Sequence, residues 1–76
     1  PEIINIFCYN KKLNVNFLNA SAKGTIRISN LMGQEIRTVG ITDTKMTIDL
    51  NDVAAGIYVV FITNGKNNTT RKFNVK

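Results

Sequence analysis

The side chains able to do chemistry in this chain are few and poorly matched to one another. Histidine is absent, which removes the commonest general base and the commonest zinc ligand. Cys8 is the one cysteine; without an imidazole its thiol has no activating base, and the hydroxyls of Ser21 and Ser29 are in the same position. A lone cysteine in an apolar run reads as a small core residue and forms no internal disulfide. Asp43, Asp49 and Asp52 carry oxygen ligands but lack the Asp-x-Asp-x-Asp-Gly spacing of a calcium loop, so they read as turn formers. Gly24, Gly33, Gly40, Gly56 and Gly65 are isolated from one another. They build no phosphate cradle, and each fits a strand end. The expectation is a protein that is not an enzyme and takes no cofactor or metal.

Charge points outward to partners instead. Ten Lys and Arg against five Asp and Glu give a net charge of +5, which favours acidic partners such as lipopolysaccharide, nucleic acid or an acidic protein face. The basic residues are scattered, from Lys11 and Lys12 through Arg37 to Arg71, Lys72 and Lys76, and read as a solvated basic surface. Phe7, Tyr9, Phe17, Tyr58, Phe61 and Phe73 are numerous enough for base stacking. Most of them fall on apolar strand faces, where packing is the simpler account, so no nucleic-acid partner is expected. Asn19-Ala20-Ser21, Asn67-Asn68-Thr69 and Asn68-Thr69-Thr70 match the N-glycosylation pattern and read as surface loops.

The elements that must position these residues are strands. At 76 residues the chain holds one domain near the lower size limit for independent folding, burying about 60% of the surface its unfolded form exposes. Apolar and polar residues alternate at period two: Ile4, Ile6 and Cys8; Leu13, Val15 and Phe17; Ile26 and Ile28; Met46, Ile48 and Leu50. Asn30-Leu31-Met32-Gly33-Gln34 supplies a turn, with Glu35 to Ile41 returning. Residues 51–56 are too short for a stable helix and read as a turn. Ile57 to Ile62 is continuously apolar and rich in β-branched and aromatic residues, which predicts a central strand buried on both faces. Asn64-Gly65 marks a hairpin. The closing strand, Thr69 to Val75, sets Arg71, Phe73 and Val75 on one face and Lys72, Asn74 and Lys76 on the other. About seven antiparallel strands with regular turn signals predict an all-β, immunoglobulin-like sandwich, with a small barrel as the second choice.

Three segments in order carry a resemblance: Gly24-Thr25-Ile26-Arg27-Ile28-Ser29-Asn30-Leu31-Met32-Gly33-Gln34-Glu35-Ile36, then Ile48-Asp49-Leu50-Asn51-Asp52-Val53-Ala54-Ala55-Gly56-Ile57-Tyr58-Val59-Val60, then Arg71-Lys72-Phe73-Asn74-Val75-Lys76. This order resembles the C-terminal sorting domains of type IX secretion cargo in Bacteroidota. The family often opens with Tyr-Pro-Asn-Pro, where this chain has Tyr9-Asn10-Lys11-Lys12-Leu13. The resemblance implies an immunoglobulin-like domain that crosses the outer membrane with its cargo and is read by a shuttle or receptor of the secretion machinery. It also implies a sortase that cuts upstream and links the cargo to anionic lipopolysaccharide or releases it. Destination would be the cell surface or the medium. Carried over by position, Gly33 and Gln34 form the hairpin turn, Gly56 and Tyr58 open the central strand, and Lys72, Phe73, Val75 and Lys76 form the terminal signal strand. Packing and positive φ account for Gly33, Gly56, Tyr58, Phe73 and Val75; Lys72 and Lys76 are the residues expected to make direct contact.

The start at Pro1-Glu2-Ile3 has neither a basic n-region nor an apolar h-region. Residues 1–76 are therefore expected to be a single domain cut from the end of a longer secreted protein. Two other readings compete: an adhesive or carbohydrate-binding sandwich, disfavoured because the loops offer almost no aromatics, and a small nucleic-acid-binding barrel. Exposed edge strands make a homodimer of the isolated domain a further expectation.

Overall fold

Period-two alternation produces strands here because each apolar set reaches one face and finds a second sheet to cover it. The computed structural model describes residues 3–18, 24–64 and 67–76. Seven strands follow in order: β1 (Ile3–Tyr9), β2 (Lys12–Phe17), β3 (Gly24–Asn30), β4 (Glu35–Gly40), β5 (Lys45–Asp49), β6 (Gly56–Asn64) and β7 (Asn67–Val75). They form two antiparallel sheets, β1-β2-β5 and β4-β3-β6-β7. In immunoglobulin lettering these are A-B-E and C′-C-F-G, with the fourth strand on the edge of the second sheet.

The core is the space between the sheets. Leu13, Val15 and Phe17 on β2, with Ile48 on β5, face Ile26 and Ile28 on β3, Tyr58, Val60 and Ile62 on β6, and Val75 on β7. Each fully buried aliphatic side chain contributes about 1.5–3 kcal/mol. Leu50 and Val53 plug one end from the segment between β5 and β6, where the Leu50 N–H donates to Lys11 O at 2.8 Å. On β1, Ile3, Ile6 and Cys8 pack against this core. A bulge between Ile3 and Asn5 inserts one extra residue, so Ile3 keeps the inner face opposite Phe17; the side chain of Ile4 lies outside the described residues.

Two expectations need correction. Strand β6 is central in its sheet, flanked by β3 and β7, yet it is buried on one face only. Tyr58, Val60 and Ile62 are buried, whereas Ile57 and Phe61 are exposed, because a two-layer sandwich has no third layer to cover the outer face. The closing strand, expected from Thr69, starts two residues earlier: the 67–70 segment that matches the glycosylation pattern is the beginning of β7 and not a surface loop. The β6–β7 hairpin pairs Asn64 with Asn67, which leaves a two-residue connection; Gly65, like Asn19-Ala20-Ser21, lies outside the described residues.

Candidate functional site

The turn between β3 and β4 is organised by one side chain. Asn30 Oδ1 accepts the N–H groups of Met32 at 2.9 Å and Gln34 at 3.0 Å, and Asn30 Nδ2 donates to Gln34 Oε1 at 2.9 Å. An asparagine that satisfies neighbouring backbone donors in this way replaces ladder bonds the chain has left behind. Gly33 takes φ +86°, a conformation disfavoured for residues with a Cβ. Gln34 is thus fixed by its bond to Asn30, and the apolar side chains of Leu31 and Met32 stand at the tip.

Tyr58 ties the start of β6 to the segment before it. Its ring is buried, and its hydroxyl donates to Ala54 O at 2.7 Å. This is the tyrosine corner of immunoglobulin-like domains, in which a tyrosine near the start of strand F reaches back to the upstream backbone. The hydroxyl is therefore bonded inside the corner. Two residues earlier Gly56 takes φ +154°, a backbone region that glycine alone occupies readily.

Strand register brings the three resembling segments together. Asn30 pairs with Tyr58, Tyr58 with Phe73, and Gly56 with Val75. The Tyr58 and Phe73 rings lie 6.1 Å apart between centroids, tilted by 32°, within the range where aromatic pairs add attraction beyond burial. Val75 is buried and Phe73 half-buried. Gly33, Gln34, Gly56, Tyr58, Phe73, Val75 and Lys76 consequently gather toward one end of the larger sheet.

The two lysines occupy different surfaces. Lys72 pairs with Val59 on the outward face of the sheet and is exposed. Lys76 is exposed at the gathered end, where it lines a cleft of about 560 Å³ with Asn74, Asn51, Lys11 and Cys8. Lys11 Nζ itself donates to Val53 O at 3.3 Å. Burial pushes the Cys8 thiol above its ordinary pKa, so it is a poor nucleophile there.

The aspartates have local duties. Asp43 Oδ1 accepts the Thr44 N–H at 2.7 Å, Asp49 Oδ1 accepts the Asn51 N–H at 2.9 Å, and Asp52 pairs with Arg37. The expectation that most aromatics serve the core holds for Phe17, Tyr58 and Phe73 and fails for the others. Phe7, Tyr9 and Phe61 are exposed, because each lies on an outer face or at its margin. Sequence reasoning also missed Asn30 as the organiser of its turn, and Leu31, Met32, Ile57 and Phe61 as surface; the position of Asn30 at the head of a turn was the available signal.

These features define a class: a small two-sheet sandwich with a tyrosine corner, whose distinctive residues serve turns, strand ends and exposed surface. The family model for the secretion system C-terminal sorting domain matches residues 9–76, and the chain belongs to that family of type IX secretion signals. The family is one of sorting signals and is not a known enzyme family. Such a domain is recognised by the type IX machinery, and its cargo is exported across the outer membrane to the surface or beyond. No curated protein matches the chain.

Proposed function

We propose that this domain carries an attached cargo across the outer membrane to surface attachment, and that the machinery reads it through the exposed lysines of the closing strand. The convergence of the three family segments at one end of the larger sheet is the observation that carries this reading. Gly33, Gly56, Tyr58, Phe73 and Val75 hold the shape, and Lys72 and Lys76 present charge from it. Exposed ammonium groups contribute little to folding but steer an acidic partner and fix its orientation. In this account a shuttle or receptor binds the domain, a sortase cuts upstream of it, and the released cargo is joined to anionic lipopolysaccharide.

The test is a fusion bearing an export signal, a reporter and this domain, compared with its Lys72→Ala/Lys76→Ala variant. The variant domain should keep its stability within about 1 kcal/mol, as loss of exposed charges usually does. Its fusion should accumulate in the periplasm. A folded variant exported as well as the parent would remove the lysines from the signal.

A further inference from the structure

The outer face of β6 is a surface that packing leaves unexplained. Ile57 and Phe61 are 48% and 39% exposed, and Leu31 and Met32 at the tip of the β3–β4 turn are 62% and 87% exposed. Between the turn and the sheet lies a cleft of about 410 Å³ lined by Arg27, Leu31, Gly33, Glu35, Val59 and Phe61. Contiguous apolar groups around a hollow mark a docking surface more often than chance exposure does.

We infer that this face receives an apolar ridge of a component of the secretion machinery, one that carries acidic side chains along its flank. The inference rests on the proposed function and adds a surface to it. Charge complementarity selects the occupant. Arg27 lies opposite Phe61 on β3 and Lys72 opposite Val59 on β7, so cations stand on both sides of the apolar strip. Glu35 is bonded to Arg27 at 3.2 Å and offsets its charge, so Lys72 supplies the net positive charge of the rim. A second copy of the chain would bring two such rims together, each on a molecule of net charge +5, and like charges facing one another oppose that pairing. A hollow flanked by strand and turn suits a protruding side chain better than the even surface of a bilayer.

Photocrosslinking in cells tests this. A photoreactive phenylalanine analogue replaces Phe61 or Leu31 in the exported fusion, with Thr47 on the outer face of the other sheet as the control position. Adducts to a machinery protein from positions 61 and 31, at least several-fold above position 47, are expected. Ile57→Ser/Phe61→Ser should leave the domain folded, with a thermal midpoint several degrees lower, and reduce export about tenfold, the size of effect that one apolar anchor gives at an interface. An exported fusion that forms no adduct above the control, or adducts only to a second copy, overturns the inference and leaves the proposed function standing. Binding of the purified domain to phosphatidylglycerol vesicles that is lost in the Ser variant, without protein adducts, assigns the face to lipid and overturns it as well. A parent fusion that stays in the periplasm overturns both.

Discussion

Replacing Tyr58 by Phe removes one oxygen atom and leaves the ring in place. The ring is 8% exposed, so its packing against Phe73 and the core is retained, and the change isolates the bond from the hydroxyl to Ala54 O. A net intramolecular hydrogen bond contributes about 0.5–1.5 kcal/mol, and an orphaned buried acceptor raises the cost. Ala54 is exposed, so water can reach its carbonyl when the hydroxyl is gone. The expected loss is therefore about 1 kcal/mol. A domain of this length has a total stability of roughly 4–11 kcal/mol, and a loss of that size lowers its thermal midpoint by about 4–8 °C. Urea unfolding followed by circular dichroism gives the free energy, with the slope on denaturant unchanged because the exposed area is the same. Tyr9→Phe, at a position 75% exposed, serves as the control and should change nothing. Tyr58→Ala should cost about 3–5 kcal/mol through the cavity it leaves. An unchanged midpoint for Tyr58→Phe would show that the corner bond contributes nothing to stability and refute the reasoning.

Gly33→Val and Gly56→Val should each cost about 1–3 kcal/mol; a Cβ at Gly33 meets nothing within 4 Å, so the cost there is conformational, and unchanged unfolding of both variants would refute the backbone argument. Asn10 and Lys11 take φ of +55° and +59° in the β1–β2 connection, so Lys11→Gly should be more stable than Lys11→Ala by about 1 kcal/mol, since both lose the bond to Val53 but only Ala keeps the strain. Equal midpoints for that pair would contradict it. Burial raises the pKa of Cys8 in the fold, so its stabilising contribution is present below the ordinary thiol pKa and is lost as pH rises through the folded value. Alkylation by iodoacetamide at mildly alkaline pH should therefore be slower in the native chain than in urea, and equal rates would count against a buried thiol.

Strand positions were legible because alternation and burial coincide in a half-buried sheet, as in Leu13, Val15 and Phe17. Their assembly was legible from strand number and turn spacing. The one-sided burial of β6 was not, because a continuous apolar run has the same appearance whether one face of the strand is covered or both. The β1 bulge was hidden since Ile3 and Ile4 are both apolar, and only pairing decides which faces inward. The β1–β2 turn was hidden for another reason: both central residues take positive φ, yet the second is Lys where glycine is the usual signal. At the candidate site, Gly33 and Gly56 were readable from residue type. The convergence of their segments on Phe73 and Val75 was not, because it depends on register between distant strands.

The central claim is that residues 1–76 suffice to direct a folded cargo through the type IX machinery. The most direct measurement is the surface-exposed fraction of a reporter carrying an export signal and this domain, read by protease accessibility in intact cells with and without the machinery. The account predicts reporter at the surface or in the medium of the competent strain and retention in the periplasm of the deficient one. Retention of the folded fusion in both strains, while an established sorting domain is exported in parallel, would contradict it.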